Sequence, residues 1–241
     1  MKNHFPIYIT PPGTGGEMND KWEKRRDRLL FPDTPPASCP LVVIIEDETA
    51  CTREAEALKD QGYAVFCREA DRRMERDRES CLLWQRELEE KLAALFDEYP
   101  CLDRNRVFLD GWMSAFLVFH SHGFRAAVQR PALLDRASAY GSCPAGWVEP
   151  FGGSLMEMLC TLAKQSVIAD ADSCKTPLLV LYQPDPRYTP EQSEILYSIM
   201  KDRNPDVPCR LAVFPETAAP ERVLREVTDW WKRFAQEVPN G

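Results

Sequence analysis

The sequence is poor in histidine: His4, His120 and His122 are the only three, and none follows position 122. Chemistry that moves protons through an imidazole therefore has few residues to draw on. Nine cysteines stand at 39, 51, 67, 81, 101, 143, 160, 174 and 209 without one CxxC pair. An odd, scattered set with so few histidines fits reduced thiols, serving as small core hydrophobes in a cytoplasmic protein, better than a zinc site or a disulfide framework. No apolar run approaches about 18 residues, and the first ten residues are short and mixed, so neither a membrane span nor a signal peptide is read. Positive charge is also in deficit, with 30 Lys and Arg against 38 Asp and Glu, a net charge of -8 and a pI near 5.1. That balance argues against nucleic acid or an anionic membrane as partner.

What is present is an α/β pattern. At 241 residues and 44% hydrophobic content, the chain suits one domain with a sizeable core. Residues 1–39 read as an N-terminal segment, with an edge strand over Phe5 to Thr10, a PPGTGG turn and a short charged helix over Lys21 to Leu30. From Pro40 to the end at 241, apolar strands alternate with amphipathic helices, the signature of a mostly parallel sheet covered on both faces. Strands are expected at 41–45, 63–67, 107–109, 124–128, 177–182 and 210–214, and helices at 52–60, 81–99, 156–164, 191–201 and from Pro220 onward. Arg68 to Glu79, with five arginines and five acids, reads as a solvated loop or helix start. Of Trp230 and Trp231, one is expected to pack inward with the helix stripe and the other to lie on the surface or in an oligomer contact, with core packing the default.

The stretch Asp103 to Phe116, DRNRVFLDGWMSAF, organises the rest. A short apolar strand, a glycine and an apolar helix start give the layout of a nucleophile elbow, in which small residues two before and two after the apex allow a tight turn. With Met113 at the apex the flanking residues are Gly111 and Ala115. With Ser114 there they would be Trp112 and Phe116, which are too large. The register thus puts a thioether, which has no proton to lose, where a nucleophile belongs.

Three phrases in order resemble the catalytic domain of the prolyl oligopeptidase family of α/β-hydrolases, over roughly Pro40 to Phe234. They are DRNRVFLDGWMSAF, similar to D-x-x-R-(strand)-G-x-S-x-G-G; FRAAVQRPALLDRASAYGS, similar to the F-K-A-A-V strand and its loop; and TPLLVLYQPDPRYTPEQSE, similar to T-P-L-L-x-x-H-G-x-x-D-x-R-V-P-x-x-Q-S-E. The resemblance implies an α/β-hydrolase fold without the family's propeller. It places the nucleophile position on Met113, the acid on Asp185 and the histidine at about Ala219. The oxyanion phrase H-G-G-P falls on Glu46, Asp47, Glu48 and Thr49, whose carboxylates would repel a forming oxyanion. Self-association is also what the resemblance implies.

These losses point to a pseudo-hydrolase that acts as a binding or assembly subunit, with no cofactor and no dedicated metal site. The alternative is a peptidase or esterase with a rebuilt, non-serine or metal-assisted mechanism. For that reading, Glu46, Asp47, Glu48, Asp110 and Asp185 fall at or past strand ends, where a divalent cation or a small cationic ligand would find oxygen ligands. A thiol nucleophile at Cys143, in YGSCP, is a weaker alternative, because no histidine is placed to activate it.

Overall fold

The computed structural model describes residues 8–10, 27–46, 51–70, 78–142 and 155–235. The chain divides into two compact units, Met1–Asp110 and Gly111–Gly241. The first carries β1 (Tyr8–Thr10), β2 (Asp27–Leu30), β3 (Cys39–Glu46), α1 (Cys51–Lys59), β4 (Ala64–Glu69), α2 (Arg78–Glu98) and β5 (Leu102–Gly111), the last residue of which begins the second unit. The second carries α3 (Ser114–His120), β6 (Ala126–Gln129), α4 (Arg136–Ser142), α5 (Leu155–Gln165), a 3-10 helix (Val167–Ser173), β7 (Leu178–Tyr182), α6 (Pro190–Arg203), β8 (Cys209–Val213) and α7 (Pro220–Phe234). From β3 to β6, and again from β7 to α7, strands and helices alternate as the sequence pattern requires.

In the first unit the strand order is β1-β2-β4-β3-β5. Strands β3 and β4 are parallel, joined by α1, and β3 reads CPLVVIIE with Leu41 to Ile45 all buried, as expected of a strand covered on both faces. Gly62, at φ 90°, follows α1 in a conformation that only glycine adopts without strain, and turns the chain into β4. Helix α2 buries Cys81, Gln85, Leu88, Leu92 and Leu95, a stripe at steps of four and three.

Two expectations fail in this unit. The charged stretch ending at Leu30 is not helical over its described residues. Asp27–Leu30 is a strand antiparallel to β4, with Leu29 and Leu30 opposite Phe66 and Val65. Sheet pairing and the burial of two leucines override helix propensity, and the charge at Asp27 is met by Lys91 and by Arg68 at 3.9 Å. Arg68 itself is buried rather than solvated. It bonds Glu87 at 3.0 Å and lies 4.7 Å over the Trp84 ring, so charge pairing and cation–π contact compensate its desolvation. Cys67 is disulfide-bonded, which corrects the expectation of reduced thiols throughout, while Cys39, Cys81, Cys101, Cys160, Cys174 and Cys209 are free.

The D-x-x-R phrase has a structural role. Asp103 accepts hydrogen bonds from Arg106 Nε at 2.6 Å, Ser38 Oγ at 2.8 Å and its own neighbour Asn105 N at 2.9 Å. Arg106 in turn donates to Ser38 O at 2.7 Å, tying the start of β5 to the residue before β3.

In the second unit β6, β7 and β8 are parallel and in that order. Helix α7 buries Val223, Val227, Thr228, Trp230 and Trp231, so both tryptophans pack inward, contrary to the one-in, one-out expectation. Adjacent helix positions lie about 100° apart, and an apolar stripe wider than that takes both. Arg125 Nε donates to Phe234 O at 2.7 Å, placing a cation on the C-terminal carbonyls of α7. Burial pushes the free thiols of Cys174 and Cys209 up to about 11 and about 12, which makes both poor nucleophiles at neutral pH.

Burial raises the Asp103 carboxyl, but its bonds to Arg106, Ser38 and Asn105 outweigh that and leave it below the ordinary carboxylate range. A depressed carboxyl stabilises the fold fully above the unfolded-state value near 4 and loses that contribution as pH falls through the folded-state value. Asp103→Ala is expected to cost about 2 kcal/mol at pH 7 in urea denaturation, with the gap from wild type narrowing below roughly pH 4. An unchanged gap at low pH would contradict this.

Candidate functional site

Gly111 closes β5 at φ 149°, a value that favours glycine, and its carbonyl accepts from Arg130 N at 3.1 Å. Met113 follows as the residue capping α3, with φ -94° and ψ 1°. Those angles are those of the third residue of an ordinary type I turn. The strained apex that exposes a hydrolase nucleophile is therefore absent, and no described residue other than glycine has a positive φ. Met113 is 2% exposed, and its thioether caps nothing.

The helix start is held instead by Gln129, the last residue of β6. Its Oε1 accepts from Ala115 N at 2.6 Å, and its Nε2 donates to Trp112 O at 2.7 Å and to Arg130 O. Since Ala115 N can only donate and Trp112 O can only accept, one orientation of the amide fits. Gln129 is 1% exposed; its oxygen and one N–H are spent on backbone flanking Met113 and its other N–H on Arg130 O. The hydroxyl of Ser114, the rejected apex residue, is fully buried and has no hydrogen-bond partner, so it is bonded to no imidazole.

Asp185 lies in the loop after β7. Its Oδ1 accepts from Arg187 N at 2.8 Å and Arg187 Nε at 2.9 Å, and its Oδ2 from Arg187 Nη2 at 2.8 Å. The Asp185 to Tyr188 bridge closes the same turn. The carboxylate that would orient a catalytic imidazole is thus gripped bidentately two residues away in its own loop. Ala219, after β8, is the exposed N-cap of α7. Its carbonyl accepts from Arg222 N at 2.9 Å, and its methyl offers no hydrogen bond.

These three positions share one edge of the second unit. Strands β7 and β8 run parallel with Tyr182 opposite Val213, so the loops of Asp185 and Ala219 leave from the same carboxyl ends. Gln129 ends the parallel β6 and holds the Met113 turn there. The edge is where open α/β sheets place ligands, yet neither methionine nor alanine can donate or take a proton there.

The remaining candidates are dispersed. His120 is seven residues past the apex, roughly 10 Å along the helix. It has Nδ1 2.8 Å from Phe116 O and Nε2 3.3 Å from Asp170, and it stacks on the Phe116 ring at 4.4 Å. His122 is exposed. In the first unit Glu46 ends β3 in register with Glu69, and Asp110 is buried. Asp47, Glu48 and Cys143 lie outside the described residues. Among the described residues no group of three or more His, Cys, Asp or Glu is arranged to hold a metal ion.

Sequence reasoning missed Gln129 and Arg187. The first had a signal in the polar residue closing the otherwise apolar strand AAVQ. The second stood in DPRY, where only the acid was weighed.

The known structures now decide the fold. It is the α/β-hydrolase fold. Acylaminoacyl peptidase from Pyrococcus horikoshii superposes with a TM-score of 0.71 at 17% identity, over 89% of this chain and 40% of that one. A puromycin-hydrolyzing peptidase from Mycobacterium tuberculosis gives 0.64 at 18% identity, over 85% of this chain and 36% of that one. An esterase from Pyrococcus furiosus gives 0.57 at 18% identity, over 83% and 85% of the two chains. The chain spans about 40% of the length of the first of these peptidases. No family model and no curated protein matches the sequence.

Two substitutions at the elbow have opposite expected signs. Gln129→Ala strands the Ala115 N–H and the carbonyls of Trp112 and Arg130 and is expected to destabilise by about 2–4 kcal/mol, lowering Tm by on the order of 10 °C. Ser114→Ala removes a buried, unpartnered hydroxyl from a helix and is expected to stabilise by about 1 kcal/mol. Calorimetry reads both, and a destabilised Ser114→Ala would mean that the hydroxyl has a partner.

Proposed function

We propose that this α/β-hydrolase-fold chain is a catalytically inactive pseudo-hydrolase that serves as a binding or assembly subunit. The observation that carries the reading is the buried thioether of Met113 at the apex of a relaxed elbow. Serine-hydrolase chemistry needs a hydroxyl, an imidazole to take its proton and a carboxylate to orient that imidazole. Here the first position is Met113, the second is the methyl of Ala219, and the third is occupied by Arg187. Losing such a set as a unit costs on the order of 10⁶-fold in rate.

The bidentate grip of Arg187 also weighs against the rebuilt, metal-assisted or amine-binding alternative, because Asp185 meets a cation already within its own turn. The net charge of -8 weighs against nucleic acid as a partner. No helix among the described residues is long and apolar enough to cross a membrane.

A fluorophosphonate probe and a panel of p-nitrophenyl esters test the reading. The expected outcome is no covalent labelling and ester turnover equal to the buffer blank. Stoichiometric labelling of a residue in 111–116 would overturn it.

A further inference from the structure

Cys39 opens β3 and Cys101 stands immediately before β5, and the two strands are neighbours in the sheet. Three bonds hold these places together. Cys39 N donates to Cys101 O at 2.7 Å, Ser38 Oγ donates to Asp103 Oδ2 at 2.8 Å, and Arg106 Nη2 donates to Ser38 O at 2.7 Å. A backbone hydrogen bond between adjacent strands sets the paired α-carbons roughly 5–6 Å apart, within the span of about 4.4–6.8 Å that a disulfide bridges. Both thiols are free. The Cys39 sulfur leans toward the start of β4, on the other side of β3, where Gly62 O lies 3.7 Å away. That is a weak thiol contact, and a turn about χ1 exchanges it for the β5 side.

The two sulfurs differ in access. Cys39 is fully buried, whereas Cys101 is half-buried in the turn between α2 and β5. Burial pushes the Cys39 thiol up; a backbone bond to Ala64 and the Arg106 charge oppose the shift, and the nearby Cys101 adds to it. Cys39 therefore stays protonated and sealed from solvent at neutral pH, while Cys101 is the sulfur of the pair that a reagent can reach.

We propose that Cys39 and Cys101 form a redox-sensitive latch that closes to a disulfide when the chain meets a small-molecule disulfide such as oxidised glutathione. The Cys101 thiol loses its proton to water and its thiolate attacks one sulfur of the reagent, forming a mixed disulfide as one glutathione thiolate leaves. Cys39 then gives up its proton and attacks the Cys101 sulfur, and the second glutathione thiolate leaves. Two protein thiols are oxidised, one reagent disulfide is reduced to two thiols, and the two protons end on glutathione. The bond closes a loop of about 60 residues containing α1, β4 and α2, so it removes freedom chiefly from the unfolded chain.

The full chain treated with glutathione disulfide at about pH 8 and mapped without reduction should give a cross-linked Cys39–Cys101 peptide, and Tm should rise by about 5–10 °C. Cys101→Ser, which keeps the backbone carbonyl at a half-buried position, should show neither change. Cys39→Ser should stop at a glutathionylated Cys101. The disulfide of Cys67 is common to all three proteins, so the difference between them reads only the new bond. In the unaltered chain, Cys101 left unmodified, glutathionylated without resolution or joined to a different cysteine would overturn the proposal, as would a Tm rise that survives Cys101→Ser.

Discussion

One buried side-chain amide holds the centre of the second unit together. Gln129 sits where a parallel strand ends and a helix begins, a place where backbone groups on both sides lack partners of their own. By accepting from Ala115 N and donating to Trp112 O, it satisfies the turn around Met113 from outside. In a medium that excludes water such bonds are stronger, and leaving one unmade is costly. The turn can therefore relax into ordinary backbone angles while remaining fully bonded.

That constraint bears on function. An elbow that presents a nucleophile keeps strain at its apex and leaves nearby N–H groups to meet a developing negative charge. Here the apex is unstrained, its side chain is buried, and Ala115 N is already occupied. The same closing of open valences recurs at Asp185, whose two oxygens are taken up by Arg187. At both places the polar groups are satisfied from within the chain.

The order of strands and helices was legible in the sequence because alternation of apolar strands and amphipathic helices leaves few folds open. The Met113 register rests on a local reason, the bulk of Trp112 and Phe116. The strand at Asp27–Leu30 was not, because its charges are neutralised by Arg68 and Lys91, 41 and 64 positions from Asp27, and local propensity carries no information about such partners. Trp230 and Trp231 misled for a similar reason: periodicity gives the direction of a buried face but not its width.

The sequence by itself determined the α/β class, the thioether at the elbow and the absence of an imidazole after position 122, since these depend on residue identity and short-range sterics alone. Only the tertiary structure decided that Gln129 would fasten the turn, that Ser114 would be sealed without a partner and that Trp230 and Trp231 would both pack inward. Each of those depends on which distant backbone atoms are brought within hydrogen-bonding or packing range, a matter of long-range geometry that no local spacing encodes.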